Sequence, residues 1–301
     1  MRVFVTGASG HIGLPVTEEL VGAGHEVVGL ARSDESAAKI EAAGATARRG
    51  DLDDLDGLAA AASEADGVIH LAFKHELMAT GEMDAAIAAD MAATQAFGDA
   101  LAGTDKVFVN TSGTLMLAMM GISGRAGTED DRSPGGHRAD VENATLALAD
   151  RGVRSAVIRL SPFVHSDIDK HGFGPILIGI ARDKGFAGYP GEGTNRLPAV
   201  HTLDVAKLYR LAVESAPAGQ VLHGVGDEGV PTREIAEAIG RGTGLPVGSV
   251  PQEETEDYFS FLGFALVADN PTSNVKTREV VGWEPTHPGL IADYDAGHYF
   301  A

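Results

Sequence analysis

The chain opens MRVFVTGASGHIG, which sets Gly7, Gly10 and Gly13 at G-x-x-G-x-x-G spacing. An apolar run precedes the first glycine, and a helically spaced run from Ile12 to Val21 overlaps the last. At a strand-to-helix turn each glycine has its own task. The first allows the tight turn, the second lets a pyrophosphate approach the backbone, and the third lets helix and strand pack closely. The helix N-terminus then offers free N–H groups and a partial positive charge to the phosphates. Ser9, His11 and Ile12 complete the expected cradle. A site for NAD places an acidic residue about 20 residues on, at the end of the second strand. This chain reads GLARSD there, with Arg32 and Ser33 in place and Asp34 one or two residues too late. A guanidinium at that point suits a 2′-phosphate through bidentate, charge-assisted bonds. The expected cofactor is therefore NADP(H) rather than NAD, with a merely solvated Arg32 as the alternative.

Such a loop needs strands and helices in strict alternation to hold it. The sequence supplies them. RVFVT, EVVGLA, ATARRGD, GVIHLAF, VFVNTS and RSAVIRL read as strands. Between them lie helical stretches, one of them capped by Ser33 or Asp34 and one running from Asp84 to Ala102. Strands alternating with helices of this length imply right-handed crossovers and a parallel sheet covered on both faces. The expected fold class is α/β, a Rossmann-type doubly wound parallel sheet with a smaller C-terminal substrate-binding region. Residues 1–160 form the dinucleotide-binding part, joined by 201–225, which return to it. Residues 161–200 and 226–301 form the substrate region. The first of these segments is rich in Gly, Pro and His, and helices are hard to place in it. The last fifty residues gather aromatics, among them Tyr258, Phe259, Phe261, Phe264, Trp283, Tyr294 and Tyr299, as a small core or as a cap over an apolar ligand.

Composition narrows the partners. The chain has 301 residues, 44% of them apolar, which is ample for a packed core. No cysteine is present, so disulfides, zinc–thiolate sites and thiol nucleophiles are excluded, and no metal site is expected. The formal net charge of −20, without a basic cluster, argues against nucleic acid and membrane surfaces. The chain starts directly on a strand and has no run of membrane-spanning length. A cytoplasmic protein with a small-molecule ligand, monomeric or homodimeric, is expected.

These residues resemble the short-chain dehydrogenase/reductase superfamily, in its extended or atypical branch. The resemblance covers nearly the whole chain and includes RRGDL, HLAF, VFVNTS, VIRLSPFVH, LPAVHTLDVAKL and GWEPTHPGL. It implies that Asp51 and Leu52 contact adenine, and that Leu71, Ala72 and Phe73 line the ribose and nicotinamide side. Thr111 and Pro162 join the cofactor contacts. Ser112 takes the position of the catalytic Ser or Thr, with Thr111 and Thr114 as near alternatives.

The departure is in SPGGHRADVEN. The resemblance calls for Tyr-x-x-x-Lys at the start of the helix after strand five. Counting back from Glu142, the lysine slot falls on Arg138 and the tyrosine slot on Pro134. No tyrosine or lysine occurs between Lys106 and Lys170, and the first tyrosine is Tyr189. Ketone reduction builds charge on oxygen, and a positioned acid typically contributes 10²–10⁴-fold, as an order of magnitude. Three possibilities stay open. A histidine replaces the acid, with His137 the local candidate and His165 and His201 further ones. Or the substrate brings its own polarised oxygen, as a ketone beside a phenol does, and orientation with one hydrogen bond from Ser112 suffices. Or the chain binds NADP without chemistry, as a redox sensor or regulatory protein. Atypical members that reduce angucyclinone-like polycyclic ketones match the second possibility. Met116, within the stretch LMLAMM, then belongs to a soft wall for a flat aromatic ketone, with His165 and Tyr189 as further substrate contacts.

Overall fold

The computed structural model describes residues 1–122 and 124–300, apart from the side chains of residues 78 and 79. In chain order the strands are β1 (Arg2–Thr6), β2 (Glu26–Ala31), β3 (Thr46–Arg49), β4 (Gly67–His70), β5 (Val107–Gly113) and β6 (Arg154–Leu160), followed by β7 (Phe163–His165), β8 (Ala187–Pro190), β9 (Arg196–His201), β10 (Gln220–Gly224), β11 (Asp227–Pro231) and β12 (Val247–Val250). The helices that matter here are α1 (Gly13–Gly22), α2 (Asp34–Ala42), α3 (Leu55–Glu64), α4 (His75–Ala79), α5 (Met83–Leu101), α6 (Leu115–Met119), α7 (Arg138–Ala147), α8 (Phe173–Lys184), α9 (Thr202–Ser215) and α10 (Thr232–Thr243).

Seven strands form one parallel sheet in the order β10-β6-β5-β4-β1-β2-β3. The chain winds outward from β1 to β3, then returns and winds the other way from β4. This is the Rossmann-like α/β fold, and the reversal between β1 and β4 is its switch point. Alternation along each strand feeds two cores. Val3, Val5, Val107 and Val109 face one side with α1 and α9 residues such as Leu20 and Tyr209. Phe4, Val68 and Phe108 face the other with Leu58 and Phe97, from α3 and α5. The β10 strand and α9 complete this unit from the C-terminal half of the chain.

A third core joins the short sheets β11-β9-β7 and β12-β8 to α8 and α10 through Phe163, Leu177, Ile235, Tyr258, Phe259 and Tyr294. The C-terminal aromatics are thus divided rather than gathered. Trp283 belongs to the first core, where its Nε1 donates to the Asp204 carbonyl at 2.8 Å. Phe261 and Phe264 are 58% and 60% exposed.

Two elements differ from the sequence reading. The fourth strand stops at His70 instead of running to Phe73: the Leu71 amide is shared between the Thr6 carbonyl at 3.3 Å and the Thr6 hydroxyl at 3.2 Å, and the Ala72 amide turns to that hydroxyl at 3.2 Å. The helix α8 was hidden by its glycines and by Pro175. Pro175 stands in the first turn, where its missing N–H has no intrahelical partner to lose, and Gly185 closes the helix at φ +79°.

Candidate active site at the sheet switch point

The glycine loop sits between β1 and α1, beside the end of β4. Gly7 holds φ +70°, and a Cβ there would meet the Ala72 nitrogen at 2.9 Å. A Cβ on Gly13 would meet the Gly7 carbonyl oxygen at 1.9 Å, so only glycine lets α1 start this close to the turn. The first turn of α1 carries no side-chain cap, whereas α2 is closed by a capping box between Ser33 and Ser36. In the first turn of α1 the Leu14 amide donates to the Gly10 carbonyl at 2.9 Å and Pro15 has no N–H, so the amides left for a ligand are those of His11, Ile12 and Gly13, while the Ser33 hydroxyl is committed to Ser36. Next to the loop, His11 Nε2 lies 3.2 Å from Thr202 Oγ1 and its Nδ1 lies 3.7 Å from Asp169 Oδ1. Burial holds His11 below the ordinary imidazole range, against the pull of Asp169.

At the outer end of the sheet, Arg32 leaves β2 and donates to Glu76 Oε1 at 3.2 Å. Asp51 is exposed, with Oδ1 accepting from the Asp53 amide at 2.8 Å, and Leu52 is buried beneath it. Ser9 and Ile12 are half-buried on the loop.

The inner end is built around α7. Glu142 and Arg159 form a fully buried ion pair, with Arg159 Nη2 donating to Glu142 Oε1 at 2.5 Å. That pair pins α7 against β6. Arg138 lies four residues before Glu142, on the same helix face, and is carried to the end of β5. Its Nη2 donates to the Thr111 carbonyl at 3.2 Å, and its guanidinium carbon lies 4.2 Å from the centre of the Phe73 ring. Behind it stands Asp90 of α5, buried, with Oδ2 at 3.7 Å from Arg138 Nη2. Asp90 Oδ1 faces His70 Nε2 at 3.1 Å, and His70 Nδ1 faces Thr6 Oγ1 at 2.6 Å. A carboxylate only accepts, so His70 carries its proton on Nε2 and Thr6 donates to Nδ1. Sequence reasoning passed over Asp90, because an acidic residue in an alanine-rich helix reads as a solvated one.

Ser112 and Thr111 point to opposite faces of β5. The Thr111 hydroxyl donates to the His70 carbonyl at 2.7 Å and lies 2.7 Å from the Tyr209 hydroxyl. Its single proton is thereby used, so Tyr209 donates to it. Ser112 is buried, and its hydroxyl contacts only the Met116 sulfur, at 3.5 Å, among the described residues. Met116 and Ser112 are thus together, one turn apart. Pro162 follows β6, half-buried. His137 precedes α7, exposed, at φ +50°.

The other histidine and tyrosine candidates belong to the small sheets, with the Thr202 hydroxyl bridging the His165 carbonyl to His11 on the glycine loop. His165 is buried in β7, its Nδ1 2.8 Å from Asp293 Oδ2 and its ring edge-on to His201. Tyr189 is in β8, where Arg233 lies 4.9 Å from its ring centre. Among the described residues no three His, Asp or Glu side chains converge as a metal site, and no helix is long and apolar enough to cross a membrane.

A doubly wound parallel sheet with an uncapped glycine loop at its switch point defines the Rossmann class. The sequence pattern of the NAD dependent epimerase/dehydratase family matches residues 3–223, and the chain belongs to that family. An uncharacterized protein of Schizosaccharomyces pombe is 44% identical, covering 100% of both chains. A Stigmatella aurantiaca enzyme, 4-hydroxy-2-methyl-3-oxo-4-farnesyl-3,4-dihydroquinoline-1-oxide ketoreductase, is 28% identical over 73% of this chain and 67% of its own length. Among solved structures, a double mutant of the dTDP-glucose 4,6-dehydratase DesIV from Streptomyces venezuelae, with NAD and DAU bound, superposes with a TM-score of 0.78. It is 20% identical and covers 99% of this chain and 96% of that one, a likeness of fold.

Proposed function

We propose that the chain is an NADP(H)-dependent reductase of a ketone on an apolar, aromatic small molecule, working without a tyrosine acid. The observation that carries this is the Ser112 hydroxyl, which stands at the end of β5 with no oxygen partner among the described residues, while the neighbouring Thr111 hydroxyl is committed to the His70 carbonyl and to Tyr209. When bound, the reduced nicotinamide supplies the hydride. The glycine loop and the uncapped start of α1 hold the pyrophosphate, Arg32 holds the 2′-phosphate, and Leu71, Ala72 and Phe73 flank the nicotinamide side. Ser112 donates to the substrate oxygen. Arg138, on the same strand end, stabilises the negative charge that grows there; burial draws its pKa down from the ordinary guanidinium range, and Asp90 opposes that shift. Met116 forms the apolar wall on which a flat ring rests. The family and the ketoreductase relative support a reductase.

Since the tyrosine at the strand end, Tyr209, gives its proton to Thr111, the best substrates are ketones beside a phenolic hydroxyl, including fused-ring polyketides of the angucyclinone kind. Turnover should be measured with paired aromatic ketones that differ only in that neighbouring hydroxyl. The hydroxylated partner is expected to react at least tenfold faster. Equal rates for the pair overturn the substrate-assisted mechanism.

One observation favours a second source for the proton. His137 has a Cβ and yet sits at φ +50°, a strained backbone of the sort found at functional sites. If His137 is the acid, a His137→Phe variant loses rate, whereas substrate assistance leaves the rate in place.

A further inference from the structure

The His11 ring ties the glycine loop to two distant parts of the chain. Its Nε2 lies 3.2 Å from the Thr202 hydroxyl at the start of α9, and its Nδ1 lies 3.7 Å from Asp169 Oδ1 in the loop between β7 and α8. The bonds around it fix where its proton sits. The Thr202 hydroxyl is 3.1 Å from the His165 carbonyl, which can only accept, so the Thr202 proton goes there. The Thr202 oxygen then accepts from the Ser166 hydroxyl at 3.0 Å and from His11. His11 therefore carries its proton on Nε2, and Nδ1 turns a lone pair toward a buried carboxylate. Asp169 is held in that place from its other sides. Its Oδ1 accepts from the Gly172 amide at 2.8 Å. Its Oδ2 accepts at 3.2 Å from Tyr299, whose oxygen accepts from the Ser166 amide at 3.0 Å. A second proton on His11 would turn the opposed lone pair and carboxylate into an ion pair. Burial opposes that proton, Asp169 favours it, and His171 and His165 oppose it further; the balance keeps the ring neutral at neutral pH. A pyrophosphate on the amide of this same residue adds negative charge, which favours the imidazolium.

We propose that His11 is a proton-loading residue of the phosphate loop: binding of a dinucleotide draws a proton from solvent onto Nδ1, and Asp169 holds the imidazolium so formed. The ring goes from neutral to a single positive charge and offsets part of the charge of the pyrophosphate. The inference rests on the dinucleotide reading of the loop, and it is independent of the 2′-phosphate and of the substrate. Affinity then rises as pH falls from the pKa of His11 in the complex to its pKa in the free protein, by at most about tenfold per pH unit, and is level on either side.

The test is calorimetric titration of the full-length protein with ADP-ribose, which needs no turnover. Its pyrophosphate is a diester and keeps one charge near neutral pH, whereas the 2′-phosphate of NADP(H) itself titrates there. Heats measured in two buffers of different ionisation enthalpy give the protons taken up. The wild type is expected to take up a large part of one proton near neutral pH, and His11→Phe none. Asp169→Asn should move the uptake to lower pH. NMR of the histidine side chains should show His11 protonated on Nε2 alone in the free protein and on both nitrogens with ADP-ribose. Equal heats in both buffers for the wild type, or a His11 that stays singly protonated, overturn the proposal, and so does undiminished uptake in His11→Phe. If the wild type does not bind ADP-ribose, the dinucleotide reading fails and the inference fails with it.

Discussion

Arg138 Nη2 stands 3.7 Å from Asp90 Oδ2, and that buried oxygen has no hydrogen bond among the described residues. The carboxylate therefore serves as a counter-charge, while its other oxygen is tied through His70 to Thr6 at the end of β1. A rigid chain of polar groups thus runs from the glycine-loop strand to the cation at the end of β5. Arg138→Met keeps the stem over Phe73 and removes the charge. It should lower kcat about 100-fold. It should also lower stability in denaturant unfolding, because Asp90 loses its counter-charge and keeps only its bond to His70. Adding Asp90→Asn should restore the stability and not the rate. Recovery of both would reduce Arg138 to a structural residue.

Ser112→Ala removes a hydroxyl that has no oxygen partner among the described residues. A kcat loss of about 100-fold is expected, with NADPH affinity unchanged in fluorescence titration. Full activity in this variant would end the polarising role.

Tyr209 is the tyrosine that the loop sequence lacks, brought to β5 from 98 residues away. It is nevertheless no acid. Burial pushes its phenol well above the ordinary range, and its proton is committed to Thr111. Tyr209→Phe should keep kcat within about twofold and cost about 1 kcal/mol of stability, one net hydrogen bond. A kcat loss of about 100-fold or more in steady-state assays would make it the missing donor instead.

The Glu142–Arg159 pair that positions Arg138 has a neutral histidine beside it. His223 Nδ1 donates to the Ser273 carbonyl at 2.7 Å, and its Nε2 accepts from Arg159 Nη1 at 3.3 Å. Burial pushes its pKa from 6.5 down to about 3 in the folded chain. Below pH 6.5 the unfolded chain takes up a proton that the folded chain refuses. Stability from this group is therefore complete above that pH and falls as acid is added, by up to about 1.4 kcal/mol per pH unit. Unfolding midpoints measured from neutral pH downward should show the loss, and His223→Gln should flatten it. An equally steep fall in the variant would place the acid sensitivity elsewhere.

The features legible in the sequence were local ones. The glycine loop, the strand that ends in Ser112 and the cap at Ser33 each depend on neighbours within a few residues, so their types and spacing announce them. The features that escaped depend on tertiary placement. Asp90 becomes a counter-ion only because α5 packs under α7, and Tyr209 reaches β5 only because the chain returns after residue 201.

The most direct test of the central claim follows a labelled hydride. NADPH deuterated at nicotinamide C4 is incubated with the wild type and an aromatic ketone bearing a neighbouring phenol, and the product is read by mass spectrometry and NMR. The account predicts deuterium on the carbinol carbon, at a rate cut about 100-fold in Ser112→Ala. Tight NADPH binding with no deuterium in any product would contradict it and leave a dinucleotide-binding protein without chemistry.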